Sequence, residues 1–217
     1  MKNIKMMDIV DGVAQATLEQ IPIVNFFTSA VIKVKENCLQ RKYNQWQELV
    51  DSRLSELEKV VFDSLGDNET FATTLLKTTE LASKSNAKKM EMLANAVKYV
   101  ATNEINEDFL IIFLNCIDKY TIPHIRMLKY FSNPRNYYTD TLQYFTVQPK
   151  SLYLKTYSLS EDEEMLLDNI ADVLCSDGLL GVNDLTVLMQ QDDALAKHTT
   201  KMGDKFIEFF GILDIEL

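Results

Sequence analysis

The sequence predicts a mainly α protein, with a helical bundle over residues 1–120 and a smaller module over 121–217. Three observations carry this. Only 6 Gly and 4 Pro occur in 217 residues, too few for the tight turns of an all-β fold. Neither residue occurs between Ile23 and Leu65. Within that stretch apolar residues fall at 39, 43, 46, 50, 54, 57 and 61, steps of three and four that trace one helical stripe. At 47% apolar and 25% charged, the composition is that of a globular chain able to bury a core.

The elements follow in order. Asp8 to Gln20, with Ile9, Val10, Val13, Ala16 and Leu18, reads as a first helix that Pro22 interrupts. The stripe beyond it predicts a long helix with a bend near Lys35 to Gln40 and a C-cap at Gly66. Asp67 or Asn68 caps the next helix, to about Ser83; Asn86 opens another to Ala101, and Asn106 a further one over Glu107 to Tyr120. Thr121 and Pro123 read as cap and first turn of a helix that Asn133-Pro134 stops. Leu152 to Tyr157 reads either as a short strand or as a helical turn. Ser160-Glu161-Asp162-Glu163 is a capping box ahead of Met165, Leu166, Ile170, Val173 and Leu174, with Gly178 ending that helix. Leu179 to Val182 and Leu185 to Met189 are apolar, strands or a short helix. Thr199 or Thr200 caps a last helix closed by Gly211.

The start of the chain lacks the apolar core of a signal peptide. Gln20 to Ile32, the longest uncharged run near it, is too short and polar to span a bilayer. A soluble, cytoplasmic protein with no membrane partner is expected. Ile21 to Val34 is apolar on one side, but Lys33 and Lys35 are too few bases for an interfacial anchor, so bundle packing is the better reading. Cys38, Cys116 and Cys175, odd in number and far apart, read as reduced core cysteines.

The C-terminal order is a helix at 123–132, an apolar element near 139–147, a capped helix at 161–176, "DGLLGV" and then TTKMGDKFIEFFG. It resembles winged-helix modules ending in T-x-x-G-x-x-F-[LI]-x-F, matched here by Thr200, Gly203, Phe206, Ile207 and Phe209. A longer helical region in front of such a module is similar to uncharacterised bacterial proteins, some prophage- or defence-associated. The resemblance implies a DNA-reading helix at Glu161 to Ser176. A helical bundle without a winged helix is the alternative.

Charge disfavours that role. The net charge of −10 is local: residues 156–196 carry ten acids and no Lys or Arg, while the rest of the chain sums to zero, with −4 over 1–118, +5 over 119–155 and −1 over 197–217. Duplex DNA presents a negative charge about every 1.7 Å of axis and repels a helix bearing six carboxylates and no base. Acids in a first helical turn offset the helix dipole by about 0.3–1 kcal/mol each, which explains Glu161 to Glu164. It leaves Asp168, Asp172 and Asp177 as a solvated acidic face or a candidate partner surface. The preceding stretch holds Arg126, Lys129, Arg135, Lys150 and Lys155, with Lys119, interleaved with tyrosines and phenylalanines. That is the composition of a nucleic-acid surface, although aromatics in a helical domain belong more often to the core. A further reading has the two segments facing each other, within one chain or across a dimer.

No metal or catalytic motif is present. His124 and His198 are the only histidines; there is no C-x-x-C, H-E-x-x-H, G-x-S-x-G or phosphate-binding loop. No catalytic residue, metal or cofactor is expected. The leading expectation is a non-enzymatic protein-interaction or regulatory module, with a protein partner or a second copy of itself. The alternatives are a DNA-binding regulator acting through 119–155 and an enzyme without a recognisable motif.

Overall fold

The computed structural model describes residues 24–55, 57, 65–138, 146–182 and 184–217, with the backbone alone described for 24–36. The expected helix at 8–20, the apolar side of 21–34 and the element at 139–145 lie outside the described residues or side chains. The chain divides between Asn44 and Gln45.

Local caps set most helix boundaries. Helix α1 runs unbroken over Val24–Leu54. It stops well short of Gly66, which sits instead in a 3₁₀ turn over Leu65–Asp67, so the expected glycine cap is corrected. Asn68 caps α2 (Glu69–Lys84) by accepting from the Phe71 N–H, and Asn86 caps α3 (Ala87–Thr102) through the Lys89 N–H. Asn106 caps α4 (Glu107–Lys119). The start of α5 (Ile122–Ser132) is a capping box in which His124 takes the usual place of Glu or Gln. Leu152 to Tyr157 resolves as helix, most of it within α6 (Pro149–Thr156). The Ser160 and Glu163 box opens α7 (Glu161–Ser176). Gly178, at φ +74°, closes it with a paired motif: Gly178 N–H donates to Cys175 O and Leu179 N–H to Leu174 O, both at 2.9 Å.

Strands are minimal. β1 (Thr146–Val147) pairs antiparallel with β2 (Met189–Gln190), and Leu180 bridges Thr199. Of Leu185 to Met189, then, only the last residue is strand. A four-residue helix α8 (Gln191–Ala194) follows. Thr200 caps α9 (Lys201–Phe209), accepting from the Gly203 N–H and donating to Gly178 O at 2.5 Å.

Within residues 45–217 one hydrophobic cluster joins α2–α5, α7 and α9. It runs straight across residue 120, where sequence texture placed a boundary. Phe206, Phe209 and Phe210 are fully buried. Phe206 meets Phe113 at 5.3 Å and Tyr120 at 5.8 Å, and Phe209 meets Tyr99 at 5.3 Å between ring centroids. Burying each such ring stabilises the fold by about 2–3 kcal/mol. Of the described aromatics of 119–155, Tyr120, Tyr130, Phe131 and Tyr153 are core, and Tyr137 and Tyr138 are half-buried against it. Cys116 is buried and Cys175 half-buried against the core, whereas Cys38, also half-buried, lies in the other unit, outside it. Among the described residues no helix is long and apolar enough to cross a membrane.

Candidate functional site

The basic and acidic segments meet inside one chain. Lys119 Nζ lies 2.6 Å from the Asp177 carboxylate, Arg126 Nη1 3.1 Å from Glu163, Arg135 Nη2 2.8 Å from Asp192, and Lys150 Nζ 3.0 Å from Asp168. Lys129 instead caps the C-terminal turn, a 3₁₀ turn over Ile212–Asp214, donating to Leu213 O and Ile215 O. Of the six bases in 119–155, Lys119, Arg126, Arg135 and Lys150 form an ion-pair seam that ties α4, α5, the 3₁₀ turn over Pro134–Tyr137 and α6 to α7 and the residues after it.

The pairs are not equal. Asp177, 18% exposed, also accepts from the Tyr120 hydroxyl at 2.5 Å. Hydrogen bonds to a charged group stabilise by about 1.5–3 kcal/mol. Arg135–Asp192 is largely in water and contributes about 0–1 kcal/mol. Glu163 couples two jobs. It accepts from the Ser160 backbone N–H and from Arg126, and these hold its carboxyl below the ordinary carboxylate range. Arg126 packs 5.6 Å from the Tyr157 ring; Glu163 meets its guanidinium at Nη1, and its buried Nε has no hydrogen-bond partner among the described residues. Glu163→Ala is expected to lower the urea-unfolding midpoint clearly, through lost cap and lost pair together. Asp162→Ala, on the same turn but outside the seam, is expected to cost under about 0.5 kcal/mol. Equal losses would contradict the seam.

Beyond the seam lies the outward face of α7. Leu167, Ile170, Ala171 and Leu174 form its buried stripe. At about 100° per residue, Met165 falls about 170° from the centre of that stripe, with Asp162, Asn169 and Asp172 beside it. Met165 is 80% and Leu166 51% exposed. Asp162 and Asp172 are exposed as well. In the connection before β2, Val187 and Leu188 are also exposed, at 44% and 66%. Lys150 ties both regions together, since its Nζ reaches Asp168 and its backbone N–H donates to Leu185 O at 2.9 Å.

The sequence-predicted surfaces therefore divide. Asp168 and Asp177 belong to the seam, and Asp172 alone of the three stands on the outward face. Arg126, Arg135 and Lys150 are held by carboxylates, Lys129 by carbonyls, and Lys155 is engaged too. Sequence reading counted Met165 and Leu166 with the apolar positions of their helix. The signal that separates them is phase: neither lies inside the 167–170–171–174 stripe.

Both histidines pack against aromatic rings. His124 Nδ1 accepts from the Thr121 N–H at 3.3 Å, and its ring stacks on Tyr120 at 5.2 Å. Burial, then the Lys119 charge, pushes its pKa down. The backbone N–H of His198 donates to Phe131 O, its ring packs on Phe131, and burial lowers its pKa. Burial pushes the Cys116 and Cys175 thiols up, the reverse of what an activated nucleophile needs. Among the described residues no three His, Cys, Asp or Glu side chains come together to hold a metal. An open cleft of about 440 Å³ lies between α3 and the C-terminal turn, lined by Arg53, Asn95, Lys98, Glu91, Glu208 and Asp214. Arg53 Nε donates to Asn95 Oδ1 at 2.7 Å across it. No family model, curated protein or solved structure matches the chain.

Proposed function

We propose that the protein is a non-enzymatic interaction or regulatory module that binds a basic protein partner through the outward face of α7. The observation that carries this is Met165, 80% exposed on a helix whose opposite side is wholly buried. A methionine beside a leucine, ringed by acids, offers adaptable apolar contact with an electrostatic rim. The order helix, strand, helix, helix, strand over α5, β1, α6, α7 and β2, with β1 and β2 antiparallel, supports a winged-helix-like reading of 121–217. In that reading α7 occupies the recognition position, and its apolar and acidic surface suits protein rather than duplex DNA. The bases that a DNA-binding role needs are largely committed to Glu163, Asp168, Asp177 and Asp192.

The test replaces Asp162 and Asp172 by Lys in one variant and Met165 by Asp in another. Immobilised wild-type protein is expected to retain partners that both variants lose, at unchanged helical circular dichroism. Identical capture by all three proteins refutes the reading.

A further inference from the structure

We propose that the occupant of the α7 face is a second copy of this chain, presenting residues 37–43 of its α1. The inference rests on the reading of α7 as a protein contact and names the partner.

The stripe of α1 is covered for only part of its length. Trp46 and Val50 are 4% and 8% exposed, in the core of residues 45–217, and Trp46 Nε1 donates to Thr79 Oγ1 at 3.0 Å. One and two steps earlier on the same stripe, Tyr43 and Leu39 are 46% and 44% exposed. An i, i+4 pair shares one helix face, so Leu39 and Tyr43 form an uncovered apolar ridge. The chain around them is basic: Arg41 and Lys42, with no acid beside them, give residues 37–43 a net charge of +2.

The α7 face is its complement. It pairs an apolar centre, Met165 and Leu166, with the carboxylates of Glu161, Asp162, Glu164 and Asp172, none of which belongs to the seam. Helix 161–176 carries six acids and no base. Two exposed apolar helix faces of opposite charge on one chain supply each other's partner at equal concentration. If the α1 ridge of each protomer lies on α7 of the other, both contacts are satisfied under a two-fold axis and the assembly closes at two copies. Complementary charge sets the orientation and speeds association, and the apolar contacts hold the pair together.

The experiment is a charge-swap mixture read by light scattering at low salt. One variant carries Arg41→Glu and Lys42→Glu, the other Asp162→Lys and Asp172→Lys. Wild type is expected at about 50 kDa, twice the 24.9 kDa chain. Each variant alone is expected at half that mass, with like charges opposed at both contacts. Mixed one to one, the variants are expected to return to the dimer mass, because one contact is then native and the other inverted in both signs. Circular dichroism confirms that each variant is folded. Leu39→Ser with Tyr43→Ser, which alters no charge, is expected to halve the mass independently.

A monomeric wild type overturns the proposal, as do variants that stay dimeric or a mixture that stays monomeric. If wild type is monomeric yet loses a separate protein partner on Asp162→Lys and Asp172→Lys, the α7 reading stands and self-association falls. If all partners are indifferent to α7, both fall.

Discussion

Raising the pH past about 10 is expected to unfold the protein cooperatively, because Tyr120, Tyr130 and Tyr153 titrate only after the fold opens. Tyr120, Tyr130 and Tyr153 are 1%, 0% and 1% exposed. Burial is the main cause that pushes each hydroxyl far above its ordinary pKa of 10.0. At Tyr120 the bond to Asp177 adds to it, at Tyr130 the neighbouring Tyr138, and at Tyr153 the Glu163 charge. The folded state thus holds protons that the unfolded chain has released. Stability is fully present below the unfolded pKa and falls as pH rises above it. Each such tyrosine contributes a slope of about 1.4 kcal/mol per pH unit, so three give about 4. A domain stabilised by about 5–15 kcal/mol is exhausted within a few pH units. A step in tyrosinate absorbance is expected to accompany loss of helical circular dichroism. Complete ionisation of all nine tyrosines with the helices intact would contradict this packing.

Gly203→Ala is expected to lower stability by about 3 kcal/mol or more, about 10 °C in thermal melting. In an exposed helix the same change stabilises, by about 1 kcal/mol of propensity. Gly203 is instead buried in the first turn of α9, where an added Cβ would stand 2.1 Å from Leu179 O and 3.0 Å from Leu179 C. Those are backbone atoms, anchored by Leu179 N–H to Leu174 O and by Thr200 N–H to Leu179 O at 3.1 Å. Relief requires α9 to move off the loop after α7, withdrawing Phe206 and Phe209 from the core. Gly181→Ala, whose Cβ would meet His198 O at 3.3 Å, is the control and is expected to cost under about 1 kcal/mol. Equal, small effects at both positions would show that α9 is not docked this closely.

What was legible in the sequence was local. Asn68, Asn86, Asn106, Thr121, Ser160 and Thr200 each announce a helix start, because a cap needs only the next three residues to act. Gly178 and Gly211 announce ends because the left-handed backbone there, φ +74° and +58°, suits glycine. Leu152 to Tyr157 was ambiguous because so short an apolar run fits either period. Gly66 misled because the long apolar stripe continues in phase beyond Leu54, where the helix itself stops.

The candidate site was half legible. Segment charges alone suggested that 119–155 and 156–196 face each other. Which acid meets which base was hidden, since the partners lie 18 to 58 residues apart and the fold decides the pairing. That pairing separates Asp172 from Asp168 and Asp177, three residues that composition treats alike. It also moves the weight of the surface to Met165 and Leu166, which hydrophobicity alone assigns to a core.

The central claim is that the chain answers its own basic stretch and turns the outward face of α7 toward protein. Its most direct test is a pair of low-salt titrations, one with a synthetic basic amphipathic helical peptide and one with duplex DNA. The peptide is expected to bind wild type and to lose at least about tenfold in affinity, or about 1.4 kcal/mol, against Asp162→Lys with Asp172→Lys. DNA is expected to show no saturable binding. Retarded DNA whose affinity falls steeply with salt, with a peptide indifferent to the α7 variant, would contradict the claim.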